Sequence, residues 1–333
     1  MCGQWGSRGS YFGYEKARQQ SVLGPDTIER VLDELAPRGL RLVDMVGGET
    51  LLYPAFGELL QVFARRGIYA KFATNGTLLD RFARQVVESR VASVTVSVDG
   101  DRNTHNRIRG EDWAYDRCLG GLRALRSARA NHGAPLVQLA YTASRHNGAA
   151  PLIALCEDLR GKGLVDVVEI KTTPIFVPER AARSYIDMAR RYFGVEGGIM
   201  SPWSFLDDYG DFGEEALALA RTIRLLKSRR FDFFVEALPH IPPEQIPRLF
   251  SDYEWDLGRS PCPVPYTEPT IDADGNVYPC NVFTDESLSM GNIHRSSFEE
   301  IWRGERFMRF RQMLADNGGL LPICTRCCQL TEY

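Results

Sequence analysis

Eight cysteines carry the chemistry that can be read first in this chain of 333 residues: Cys2, Cys118, Cys156, Cys262, Cys280, Cys324, Cys327 and Cys328. Cys262 opens CPVPYTEPTIDADGNVYPC, Cys280 closes it, and LPICTRCCQL supplies the last three. Two separated cysteines plus a C-x2-C pair give four thiolates from two knuckle-like turns. That is the donor set of a tetrahedral S4 site, which takes zinc or an iron–sulfur cluster. Thiol count does not choose between the two. Without a charged-then-apolar secretion signal, a disulfide scaffold is the poorer reading at this length. The cysteines therefore indicate a reduced, cytoplasmic, metal-binding protein. Cys118 and Cys156 fall on apolar helix faces, beside Leu122 and Leu125 and beside Leu152 and Leu159, and read as core thiols.

The elements that must position these groups follow from periodicity. TEPTIDADGNVYPC reads as a β-hairpin turning at Asp274-Gly275, which carries Cys280 back towards Cys262. A helix over SFEEIWRGERFMRFRQML follows. It is capped by Ser296 or Ser297 with Glu299 or Glu300, and Phe298, Ile301 and Trp302 form its apolar stripe. Upstream, short apolar strands alternate with amphipathic helices: RLVDMVGGE, IYAKFATNG, VASVTVSVDG, PLVQLAYTA and VDVVEIKTTPI are the strands. That alternation predicts a parallel sheet with helices outside, either doubly wound or a full or partial barrel. Residues 178–258 change character. They hold helical text, then Trp203, Phe205 and Tyr209, then the proline-rich ALPHIPPEQIPRLF, and read as a bridging segment between a first domain, 1–177, and a cysteine-rich one, 259–333. A net charge of −3 gives no reason to expect nucleic acid as partner, and no apolar run is long enough to cross a bilayer.

In either parallel architecture, ligands sit at the C-terminal ends of strands. The unusual residues lie there: Gly47-Gly48-Glu49-Thr50, then Thr74-Asn75-Gly76, then Ser97 and Asp99 before Gly100. Thr95, Ser97 and Asp99 share one strand face, and Val94, Val96 and Val98 the other, as for a polar cavity backed by an apolar outer layer. Glu169 and Lys171 share one face of VVEIK. They either bind substrate or pair with each other. Arg145 follows a strand end, where it either reaches a ligand carboxylate or is an exposed loop arginine. His105, in DRNTHNRIRG, reads as a solvated loop histidine, and His240, between prolines, has no partner at metal spacing.

Gly-Gly-Glu, Thr-Asn-Gly and Val-Ser-Val-Asp-Gly at successive strand ends resemble the radical SAM enzyme family, with Thr50 in place of the usual proline of GGEPL. In that family a C-x3-C-x-Φ-C loop precedes these strands and holds a 4Fe-4S cluster that binds S-adenosylmethionine (SAM). Met1-Cys2-Gly3-Gln4-Trp5-Gly6 resembles the end of that loop. The resemblance makes Met1 the residue against adenine and Cys2 the last thiolate. It directs Gly47, Gly48 and Glu49 to the SAM ammonium, Asn75 to the same site, Ser97 and Asp99 to the ribose, and Arg145 to the SAM carboxylate. On this reading the first two cysteines and a first strand precede Met1, and the chain as it stands is expected to be inactive. The pattern C-x12-G-x4-C, GNI, a helix with IW and a terminal C-x2-C resembles the SPASM-type extension of such enzymes. It implies an auxiliary 4Fe-4S cluster on Cys262, Cys280, Cys324 and Cys327, with Cys328 an alternative to Cys327 or a spare thiol.

The implied fold is a partial (β/α)6 TIM-like barrel with a small cysteine-rich SPASM-type domain. The implied activity is reductive cleavage of SAM to a 5′-deoxyadenosyl radical that abstracts hydrogen from a peptide or small-molecule substrate, with peptide or protein modification first in line. An electron donor such as flavodoxin or ferredoxin would be a partner, and neither nucleic acid nor membrane is expected. The alternatives are a non-catalytic iron–sulfur or zinc protein, acting as electron carrier or scaffold, and a zinc-stabilised α/β enzyme of unrelated chemistry.

Overall fold

The computed structural model describes residues 21–129, 133–144, 146–172, 179–195, 212–252, 255, 257, 261–281 and 283–327. Two compact units divide them. Leu35–Thr173 with Asp211–Ser251 form one; the described residues of Met1–Glu34, Pro174–Gly210 and Asp252–Tyr333 form the other.

The first unit is a strand–helix alternation. After helix α1 (Pro25–Leu35) come β1 (Leu42–Met45), α2 (Phe56–Arg65), β2 (Tyr69–Thr74), α3 (Leu79–Glu88), β3 (Val91–Ser97), α4 (Arg102–Arg109), α5 (Ala114–Arg129), β4 (Leu136–Thr142), α6 (Ala149–Leu159) and β5 (Val167–Lys171). Helices α7 (Glu179–Phe193) and α8 (Gly213–Ser228), then β6 (Phe234–Leu238) and α9 (Ile246–Ser251), follow; of these elements α7, and α1 up to Glu34, belong to the second unit. The six strands pair in parallel in the order β1-β2-β3-β4-β5-β6, and among the described residues β1 and β6 do not pair, so the barrel stays partial. Strand β3 reads as a period of two. Val94, Val96 and Val98 are completely buried under the helices, while Ser93, Thr95 and Ser97 on the other face are half-buried. The helices bury matching apolar stripes: Leu59, Leu60 and Phe63 on α2, Leu79, Ala83 and Val86 on α3, Leu122 and Leu125 on α5, Leu152 and Leu155 on α6. Cys118 and Cys156 lie in this layer with no exposure, as core thiols, and burial pushes each thiol up to about 12.

The division of the middle segment differs from the sequence reading. Residues 211–251 are part of the barrel unit rather than of a bridge: α8 buries Ala216, Leu219, Ala220, Ile223 and Leu226, and FVEAL supplies the sixth strand. The prolines that follow this strand made the stretch look like linker. Its pairing with β5, from Val167↔Phe234 to Lys171↔Leu238, is long-range and leaves no local periodicity to read. Trp203, Phe205 and Tyr209 lie outside the described residues.

In the second unit, β7 (Thr270–Ile271), β8 (Asn276–Tyr278) and β9 (Gly291–Asn292) form an antiparallel sheet after the short helix α10 (Val264–Thr267). The hairpin turns where expected: Asp272 Oδ1 accepts from the amides of Asp274 and Asn276, both at 2.9 Å, and Gly275 takes φ +82°. The helix expected from Ser297 onward is two helices, α11 (Phe298–Trp302) and α12 (Glu305–Asp316). Ser297 and Glu300 make the capping box of α11, and Gly304, in extended backbone, caps α12. Glu34 on α1 also accepts the amides of Phe298 (3.0 Å) and Glu299 (2.7 Å), so an anion sits at the start of α11, where the free N–H groups are.

Candidate functional site

The ends of β1 and β2 are stitched together by Glu49. Its Oε2 accepts the Asn75 amide at 2.7 Å, and its Oε1 accepts the Thr74 hydroxyl at 2.6 Å and the Leu51 amide at 3.2 Å. Thr74 Oγ1 in turn accepts from the Gly76 amide at 3.0 Å, and Asn75 Oδ1 from the amide and hydroxyl of Thr77. Thr50, where the family pattern has proline, donates its hydroxyl to the Ala73 carbonyl at 3.0 Å and so adds a second stitch. Gly76 sits at φ +81°, and a Cβ there would lie 2.9 Å from both Cys118 Sγ and Val96 Cγ1. A Cβ on Gly121 would lie 2.5 Å from the Gly76 carbonyl, so α5 approaches this turn as closely as two glycines permit. Gly47 and Gly48 are exposed, and a Cβ on either would meet nothing within 4 Å. The carboxylate of Glu49 is occupied in holding the turn.

At the end of β3, Asp99 is only 5% exposed and is held at three points. Arg109 Nε donates to its Oδ2 at 2.6 Å, its own amide donates to His105 Nδ1 at 3.1 Å, and its carbonyl accepts from Asn147 Nδ2 at 2.9 Å. Burial pushes the Asp99 carboxyl up, but His105 and the Arg109 guanidinium outweigh it and hold the group below the usual carboxylate range. Ser97, half-buried one turn of the pleat earlier, makes no side-chain hydrogen bond to any described residue. Asp99 and Glu49, with Arg109 on α4, act electrostatically on the Cys118 thiol, which packs against the Gly76 turn.

His105 corrects the sequence reading. It is 1% exposed, on α4 rather than in a solvated loop. Asp101 caps that helix by accepting from the Thr104 amide at 2.8 Å, and Gly110 ends it at φ +76°. The signal was available: His105 and Arg109 lie four residues apart, on one helix face, just after a strand-ending Asp-Gly. The polar composition of residues 102–109 concealed it.

The inner face of the barrel continues from this mouth. Register places Ser97, Ala140, Glu169 and Glu236 side by side on neighbouring strands, with Thr95 and Gln138 one step below. Glu169 and Lys171 do approach each other, at 3.1 Å, and Lys71 pairs with Asp44 at 3.2 Å on the same face. His240 has a partner as well, Glu236, at 3.4 Å.

In the second unit Cys262 is half-buried and Cys280, Cys324 and Cys327 are buried. Burial pushes the Cys324 thiol well above its ordinary range, and the charges of Cys280 and Cys262 add to this, so those three sulfurs are within electrostatic reach of one another. Burial raises Cys262 too. As placed, no three Cys, His, Asp or Glu side chains among the described residues form a metal-holding group. The donor set nevertheless fits a cluster: thiols this buried ionise only when a metal takes the charge. Met1, Cys2, Arg145 and Cys328 lie outside the described residues.

The comparisons with known proteins bear on both units. A family model described as the radical SAM superfamily matches residues 1–137, and one described as an iron–sulfur cluster-binding domain, SPASM, matches residues 262–328. The chain belongs to the radical SAM superfamily and carries a C-terminal SPASM domain. The cofactors of these two domains are 4Fe-4S clusters and S-adenosylmethionine. Relatives of this radical SAM protein include Fe-coproporphyrin III synthase of Methanosarcina barkeri, 34% identical over 104 residues, 31% of this chain and 26% of that protein. The AdoMet-dependent heme synthase of Nitratidesulfovibrio vulgaris is 23% identical over 320 residues, 86% of this chain and 72% of that one. The chain thus spans about a quarter of the first relative. Among solved structures, Streptococcus suis SuiB has TM-score 0.60 at 13% identity, covering 91% of this chain and 65% of its own. The enzyme anSMEcpe with bound AdoMet has TM-score 0.56 at 14% identity, covering 90% and 75%. These likenesses give the fold, a partial barrel with a small C-terminal domain. No helix among the described residues is long and apolar enough to cross a membrane.

Proposed function

We propose that this chain is a radical SAM enzyme that modifies a peptide or protein. The observation that carries the reading is the convergence of Glu49, Asn75 and Asp99 at one mouth of a barrel with a polar inner face. The cluster and SAM, when bound, supply a 5′-deoxyadenosyl radical that removes a hydrogen atom from the substrate. Everything else falls to the chain. Cys2 provides a thiolate and Met1 the contact to adenine. The open backbone of Gly47 and Gly48 offers carbonyls to the SAM ammonium, while Glu49 holds the turn against Asn75 so that those carbonyls keep their direction. Ser97 and the second oxygen of Asp99, which accepts nothing from the described residues, suit ribose hydroxyls. Arg145 is assigned to the SAM carboxylate. Cys262, Cys280, Cys324 and Cys327 hold the auxiliary 4Fe-4S cluster, and a flavodoxin- or ferredoxin-type protein supplies the electron.

A peptide substrate is supported by the fold shared with SuiB, solved with its precursor peptide SuiA, and with anSMEcpe, solved with a peptide. A second reading, chemistry on a tetrapyrrole, is supported by the heme synthase that aligns over 86% of this chain. The test is anaerobic purification of the native protein, iron counting, and incubation with SAM and dithionite. About eight irons per chain and 5′-deoxyadenosine support the enzyme. Zinc alone without SAM cleavage overturns it. Stimulation of 5′-deoxyadenosine release by Fe-coproporphyrin, and not by peptides, selects the second reading.

A further inference from the structure

We propose that Glu169, with Glu236 beside it, forms a subsite on the inner face of the barrel for a cationic N–H group of the substrate, an ammonium or a guanidinium. The proposal rests on the reading above, in which the barrel's inner face is the substrate cavity.

Strand pairing puts the two carboxylates next to each other: Ala140↔Glu169 and Glu169↔Glu236 are in register, and Ser97↔Ala140 joins this row to the strand that ends in Asp99. Cα partners in a parallel sheet present their side chains on the same face, here the inner one. Like charges directly across from each other on neighbouring strands repel, so this pair is not there for the stability of the sheet. On its other side Glu169 has Ala140, whose methyl group offers it no hydrogen-bond donor.

Glu169 is 7% exposed, yet its Oε1 is buried and accepts no hydrogen bond from the described residues. Lys171 Nζ lies 3.1 Å from that oxygen but off the hydrogen-bonding direction. An ionised carboxylate has about four acceptor sites, and a buried one is tolerated when paired and hydrogen-bonded. Here two carboxylates meet one lysine, with His240 3.4 Å from Glu236. Among the described residues, carboxylates outnumber lysines in this row two to one, and no N–H donates a hydrogen bond to Glu169 Oε1. A guanidinium or an ammonium brings positive charge and N–H donors at once, and its charge-assisted hydrogen bonds are the strong kind. A phosphate or carboxylate entering at this point would meet two negative groups.

The test uses the full native chain and calorimetric titration with argininamide and lysinamide, with neutral citrullinamide as control. The wild-type protein binds both cations at least about tenfold more tightly than citrullinamide. Glu169→Gln, with an unchanged unfolding midpoint, weakens cation binding by about tenfold. Lys171→Met removes the competing cation and tightens it. Equal affinity for argininamide and citrullinamide overturns the proposal, as does Glu169→Gln binding like wild type. Should Glu169→Gln fail to fold, Lys171→Met decides alone: tighter cation binding supports the subsite, and unchanged or weaker binding makes Glu169–Lys171 a structural ion pair. SAM cleavage by the wild-type protein is measured separately. Its absence with cation binding intact removes the enzymatic reading and keeps the subsite; the reverse removes only the subsite.

Discussion

The carboxylate of Glu49 accepts the backbone amide of Asn75 at 2.7 Å, joining two strand-end motifs that lie 26 residues apart. With the Thr74 hydroxyl at 2.6 Å on its other oxygen, Glu49 is the brace of the β1–β2 mouth. The acidic residue of the Gly-Gly-Glu turn thus shapes the backbone beside the exposed Gly47 and Gly48, the two residues to which the proposed function gives the SAM ammonium.

Glu49→Ala leaves the Asn75 amide and the Thr74 hydroxyl without an acceptor. The expected loss is about 1–3 kcal/mol of stability, read by urea unfolding, with faster amide exchange at residues 74–77. Glu49→Gln keeps one acceptor oxygen but turns an NH2 towards a donor, and recovers less than half of the loss.

Asp99 makes stability depend on acidity. Its folded-state pKa lies below the ordinary value, so its contribution is fully present above about pH 4 and is lost as pH falls through the lower folded value. The difference in unfolding free energy between wild type and Asp99→Asn is therefore constant near neutrality and shrinks below about pH 4. Asp158 and Asp166, also held below the usual range, are present in both proteins and cancel. Arg109→Ala strands the buried carboxylate and costs about 3 kcal/mol at neutral pH. A difference that grows on acidification contradicts the assignment.

Gly76→Ala is strained twice over, by φ +81° and by contacts of 2.9 Å with Cys118 and Val96. A cost of about 1–3 kcal/mol is expected. Adding Cys118→Ala relieves only the sulfur contact, so the double variant regains part of the stability and not all of it. Chemical denaturation of the three proteins measures this.

Cys280→Ser and Cys324→Ser each remove one buried sulfur of the C-terminal set. Each variant is expected to lose about four irons per chain after anaerobic purification. The visible absorbance of iron–sulfide charge transfer falls in proportion. Cys118→Ser, in the helical layer, leaves the iron content unchanged. Equal iron in all three proteins removes the C-terminal cluster site.

The sequence alone determined the alternation of strands and helices, the strand-end motifs, the hairpin turn at Asp274-Gly275 and the C-terminal thiol set. Each of these is a local pattern: a period of two or 3.6, a turn residue, a cysteine spacing. Only the tertiary structure decided which groups at those places are free and which are engaged. Glu49 looked available and is bound to the next turn. His105 looked solvated and is buried against Asp99, because a short polar helix shows no apolar period and its one buried face is made by a neighbouring strand end. The strand Phe234–Leu238 was hidden for the same reason: its evidence is the pairing with β5, far away in the chain. That Glu169 Oε1 accepts no hydrogen bond from the described residues is likewise a property of the packed barrel, since satisfaction of a buried acceptor depends on every side chain brought near it and on none of them singly.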